Sequence, residues 1–174
     1  MQSYLKETDL PKLEQLVVTK SWWDTVDILD RVVGSLVYEH PELEEIILIL
    51  FENLFKPRQL PPTTSKQCFE HPKANFLVCS LIFIELLKWS LSDNIWLRRV
   101  AIDHQLLRKE KTNTQLMEKI LLHNLNQTEF FINKAIGWTL RDYSKTNPTW
   151  VTCFIEKNRE RMAELSIKEA SKYL

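Results

Sequence analysis

Trp23 and Asp27 lie four residues apart in the run Ser21-Trp22-Trp23-Asp24-Thr25-Val26-Asp27-Ile28. On a helix that spacing puts an indole and a carboxylate on one face. The pair can be a core aromatic beside a salt-bridging acid. It can equally hold a cation, the ring offering its π face and the carboxylate its charge. A second grouping lies downstream. Lys134, Trp138, Arg141 and Lys145 recur at spacings of four, three and four, opposite a stripe of Ile132, Ile136, Leu140 and Tyr143. A tryptophan among three cations, away from a core stripe, reads either as a binding surface or as a residue covered by a neighbouring helix. Arg99 follows Arg98 and precedes Asp103 by four residues, so an i,i+4 ion pair competes with phosphate contact for its guanidinium. His40, His71, His104 and His123 show no partner spacing. No Ser/His/Asp arrangement, phosphate loop, CxxC or HExxH occurs, and Cys68, Cys79 and Cys153 lie far apart. No metal or cofactor is expected.

These residues must be positioned by helices. The chain has 174 residues, 44% of them apolar, enough for one domain spanning 1–174 with a real core. Glycine occurs only as Gly34 and Gly137, too few for the strand-to-helix turns of an α/β fold or the hairpins of a β sandwich, which leaves an all-α architecture. Formal net charge is zero, but it is uneven: residues 1–92 carry 9 Lys+Arg against 13 Asp+Glu, and residues 93–174 carry 14 against 10. A basic half can face a polyanion even in a neutral protein. Unpaired, scattered cysteines suit a reducing cytosol. The N-terminus lacks the pattern of a signal peptide. The apolar runs 46–51 and 76–87 are too short for a membrane span, and the second contains Glu85.

Helical spacing of Leu13, Leu16 and Val17 marks a first helix over 12–19, and Ser21 is expected to cap a second from Trp22 to Glu39, closed by His40-Pro41. Residues 42–55 look helical but apolar nearly all round, and 57–65, with three prolines, must be loop. A second apolar run covers 75–91. From there the pattern predicts helices from a Ser92 or Asp93 cap to about Lys109, from Thr112 or Thr114 to about Leu125, over 129–145 behind Thr128, over 149–158, and a short one from Ser166.

The pattern also repeats. Trp96-Leu97-Arg98-Arg99-Val100-Ala101-Ile102 aligns with Phe130-Phe131-Ile132-Asn133-Lys134-Ala135-Ile136 at an offset of 34, the length of one helix pair of a solenoid. Trp22 to Ile28 fits the same frame at an offset of 74, one period plus a surplus of 40. The surplus, together with the changed texture of the sequence, predicts an insertion over about 45–87. In this frame Asp27 stands where Ala101 and Ala135 stand in the other copies, at a position suited to close helix packing.

The runs Val18 to Asp27, Ser92 to Ile102 and Glu129 to Tyr143 closely resemble the bacterial DNA alkylation repair enzymes, alkylpurine DNA glycosylases built from HEAT-like repeats. The resemblance covers roughly 9–43 and 88–174. Against the family pattern the chain is expected to be N-terminally truncated and to carry the insertion. The resemblance implies an α-α superhelix, a solenoid of antiparallel helix pairs with a concave, basic face for double-stranded DNA. It implies hydrolysis of the N-glycosidic bond of cationic N3- and N7-alkylated purines, without metal or cofactor, by a monomer in the bacterial cytosol, close to the nucleoid. Carried over by motif, Asp27 matches the catalytic aspartate and Trp23 and Trp138 match the sugar-contacting tryptophans. Arg99 and Arg141 match DNA-contacting arginines, and Lys134 joins them as an expected phosphate contact. The other expectation is a catalytically inactive helical-repeat module that binds DNA or protein.

Overall fold

In a computed structural model the structure describes residues 7–19, 21–38 and 84–174. Among these every regular element is helical. The chain forms α1 (Leu10–Thr19), α2 (Trp23–Tyr38), a helical stretch at 84–90, α3 (Ile95–Asp103), α4 (Thr114–His123), α5 (Phe130–Ser144), α6 (Pro148–Asn158) and α7 (Glu164–Ala170). The expected helix at 42–55, the loop at 57–65 and nearly all of the stretch 45–87 lie outside the described residues.

Most helices begin where a side chain takes over the free N–H groups of the first turn. Asn94 accepts from the N–H groups of Trp96 and Leu97, Asn113 from Leu116, Glu129 from Phe131 and Asn147 from Trp150. The cap of α3 is therefore Asn94 rather than Ser92 or Asp93, and that of α5 is Glu129 rather than Thr128. Ser21 acts on the other side of its turn: its hydroxyl donates to the Val17 carbonyl at 2.8 Å and closes α1. The helix expected to run to Lys109 stops at Asp103. Leu107 and Lys109 adopt left-handed backbone, with φ of 68° and 53°, which an α-helix cannot accommodate.

Helices α2, α3, α5 and α7 pack in that order, each against the next. The first three carry the repeated motif, and its first two copies are direct neighbours. Bonds between repeats show the period. Arg99 donates to Phe131 O, 32 residues on, Ser166 to Asn133 O across 33, and Asn124 to Ser90 O across 34. Between α2 and the next repeat the separation is larger, as in the bond from Arg108 Nη2 to Gly34 O across 74 residues. The core runs along the interior of this stack. Ile132, Ile136 and Leu140 are fully buried, and each contributes about 1.5–3 kcal/mol. Both glycines sit at close crossings. A Cβ on Gly34 would lie 2.2 Å from the His104 carbonyl oxygen, and one on Gly137 2.5 Å from Glu169 Cβ. No described helix is long and apolar enough to cross a membrane.

Candidate active site

Helices α2, α3 and α5 bring Trp23, Asp27, Arg99, Lys134 and Trp138 together. Arg99 Nε and Nη2 both donate to Asp27 Oδ1, at 2.9 and 2.7 Å. Nη1 donates to the Phe131 carbonyl at 2.9 Å. Both bonds to Asp27 end on one oxygen, so no hydrogen bond among the described residues engages Oδ2, and the side chain keeps 19% of its surface. Arg99 itself is only 2% exposed. The phosphate contact expected of it finds no accessible guanidinium here. Its charge is committed to Asp27 across 72 residues, and the i,i+4 partner Asp103 stands further off, at 3.7 Å.

Beside this pair lies a hollow of about 380 Å³ lined by Trp22, Trp23, Arg99, Phe130, Phe131, Lys134 and Trp138. Trp22, Trp23 and Phe130 are exposed, although large aromatics normally seek cover. Three cations surround the Trp138 ring: the centroid lies 5.3 Å from Arg99 Cζ, 5.7 Å from Lys134 Nζ and 5.8 Å from Arg141 Cζ. Asp27 does not line the hollow, and meets it only through Arg99.

Glu169 holds the other cations. It pairs with Lys134 at 3.2 Å, with Arg141 at 2.8 Å and with Lys172 at 2.8 Å. Lys172 first, and then Lys134, hold its carboxyl below the ordinary range against the opposing effect of burial. Lys134 and Arg141 thus stand beside Trp138 anchored by a carboxylate. Glu169 occupies the repeat position of Asp27, Ala101 and Ala135. The two acids that hold the cations of the site stand at equivalent places at the two ends of the described stack. The repeat frame extended by one more period would have found Glu169.

Behind Arg99 lies a group of acids. One carboxylate oxygen from each of Asp27, Asp30 and Asp103 lies within 4.8 Å of the others. Burial, then the charges of Asp103 and Asp27, push the Asp30 carboxyl up to about 8. Burial pushes Asp103 up to about 6, against the pull of Arg99 and of the Thr139 hydroxyl, which donates to it at 3.0 Å. Three such carboxylates have the geometry to hold a metal ion, but the guanidinium of Arg99 already stands among them as their cation. Asp30, three residues after Asp27, was legible only as spacing; its burial was not.

The sequence profile of the DNA alkylation repair enzymes matches residues 1–54 and 74–174. A solved structure, a predicted DNA alkylation repair enzyme from Enterococcus faecalis, is similar over 99% of this chain at 31% identity and a TM-score of 0.68. This chain spans 62% of the length of that protein. No curated protein matches the sequence significantly. The fold and the comparisons define an all-helical repeat protein. The chain belongs to the DNA alkylation repair enzyme family. The profile leaves 55–73 unmatched, within the 45–87 stretch.

Proposed function

We propose that the chain hydrolyses the N-glycosidic bond of cationic N3- and N7-alkylated purines in double-stranded DNA, in the bacterial cytosol, acting as a monomer. The observation that carries this reading is the clamp on Asp27: two N–H groups of Arg99, which itself lines the aromatic hollow, fix Oδ1 and leave Oδ2 uncommitted. In the reaction the C1′–N bond breaks and its electron pair leaves with the purine, which alkylation had made cationic and which departs neutral. The sugar becomes oxocarbenium-like. The Asp27 carboxylate stabilises that cation and orients a water. The water's oxygen bonds to C1′ and its proton passes to solvent through the carboxylate. Trp23 and Trp138 offer π faces to the cationic sugar. Lys134 and Arg141, held by Glu169, meet phosphates, and Arg99, between Asp27 and the hollow, fixes the orientation of the carboxylate.

The reading is tested by release of 7-methylguanine or 3-methyladenine from methylated DNA. Asp27→Asn is expected to slow release by about a hundredfold or more, the scale of losing a group that acts on the transition state. Absence of release from the wild type would sink it. One observation favours a binding-only module instead: Asp27 stands behind Arg99 rather than in the hollow wall. Salt-dependent binding of undamaged duplex without base release would support that second reading.

A further inference from the structure

Two further hollows continue from the aromatic one. One, of about 210 Å³, shares Trp138 with it and adds Arg31, Leu106, Leu107, Arg141, Asp142 and Lys145, whose ammonium lies 3.8 Å from Asp142 Oδ1. The next, of about 330 Å³, includes Tyr38, Arg108 and Lys111 and again Arg31, Leu106 and Leu107. Arg31, Leu106 and Leu107 are common to both, so they form the ridge between them. Arg31 sits one helical turn beyond Asp27 on the same face of α2.

Leu107 is the odd member. The residue is 64% exposed, and its φ of 68° is a conformation that leucine rarely adopts. Neither burial nor backbone preference accounts for a leucine here. Its place is held from outside: the N–H of Leu107 donates to Asp142 Oδ2, in the next repeat, at 2.6 Å. Strained backbone held by its surroundings, with an exposed apolar side chain flanked by cations, suits contact with a molecule that is both anionic and partly apolar.

We propose that Leu107 is an apolar ridge residue that packs on the sugar and base edge of a nucleic-acid strand whose phosphates rest on Arg31 and Lys145. The assignment rests on DNA as the partner, and it adds to that reading a substrate contact outside the reaction hollow. Apolar side chains set among basic ones meet nucleic acid in this way, the cations holding the backbone and the apolar group the stacked edge.

Binding of a short undamaged DNA duplex, measured by fluorescence anisotropy over a range of salt, tests the ridge. Leu107→Gly is expected to weaken binding about five- to tenfold, the worth of one lost apolar contact, with the salt slope unchanged. Its thermal midpoint should be equal to the wild type or higher, because glycine accepts the left-handed backbone. Leu107→Met should restore most of the affinity. Arg31→Ala should weaken binding and lower the salt slope by about one. Wild-type affinity in both Leu107→Gly and Leu107→Asn would overturn the proposal, and so would a wild-type protein that fails to bind duplex at low salt. A wild type that binds with this Leu107 dependence but releases no alkylated purine leaves the ridge standing and removes the glycosylase.

Discussion

Arg99 reaches Asp27 with two N–H groups on one oxygen, at 2.9 and 2.7 Å, from a guanidinium that is almost wholly buried. This geometry makes the arginine an anchor. A charge fixed in a dry setting needs no reorganisation when a cation forms nearby. It also pairs with two of the three clustered carboxylates, Asp27 and Asp103.

Removing that cation should therefore be costly. Arg99→Ala is expected to destabilise the fold by about 3 kcal/mol, the scale of breaking a buried ion pair. The loss should shrink as pH falls and Asp30 and Asp103 take up protons. Urea unfolding at pH 8 and pH 5 checks this. An equal loss at both would mean that the acids do not depend on Arg99.

The raised acid at Asp30 gives a pH dependence of definite sign. Unfolded, this carboxyl ionises near 3.8, whereas folded it keeps its proton up to about 8. Over that interval the native state binds more protons, so stability falls as pH rises. Asp103 does the same only up to about 6. His104, lowered to about 3 by burial and then Arg108, works in the opposite direction: its contribution is present above its ordinary 6.5 and is lost as pH falls. Between pH 6.5 and 8 Asp30 stands alone among the three. Asp30→Asn should flatten the decline in that window and raise stability at pH 8 by on the order of 2 kcal/mol. Denaturant midpoints across the window decide it, and an unchanged slope would count against a protonated Asp30.

Gly34 tests the packing beneath the site. Alanine favours a helix over glycine by about 1 kcal/mol. At Gly34 its Cβ would meet a backbone carbonyl at 2.2 Å, which cannot turn aside. Gly34→Ala should lower stability by about 2–3 kcal/mol in spite of propensity, as overpacking does. A stabilised variant would show that α2 and the α3 end can separate freely.

Glu169 is expected to restrain the cations near Trp138. Glu169→Gln keeps the shape and frees Lys134 and Arg141 from a carboxylate. Affinity for undamaged duplex at low salt should rise, with a steeper salt dependence. Release of an alkylated base should fall, because the freed side chains no longer hold one position beside the ring. Binding unchanged at every salt concentration would show that these cations do not meet DNA.

Much of this was legible in the residues because it is local. The spacing of Ile132, Ile136, Leu140 and Tyr143 marked the buried face of α5, and the 34-residue recurrence of the Trp96 and Phe130 motifs marked the stacked helix pairs. Helix ends were less legible. Ser92, Asp93 and Asn94 all have side chains that can cap, and only the path of the chain selects Asn94. Trp138 among its cations could be seen in the spacing, but Glu169, which anchors two of them, was missed. That pairing depends on which helix follows α5 in the stack.

By itself, then, the sequence determined the helical period, the repeat and the residue types gathered on one face, since these follow from neighbours within a turn or two. Only the tertiary structure decided that Arg99 turns inward to Asp27 rather than outward to a ligand. Both choices satisfy a guanidinium. Which one prevails depends on a carboxylate 72 residues away, brought to hydrogen-bonding distance by the packing of α2 on α3.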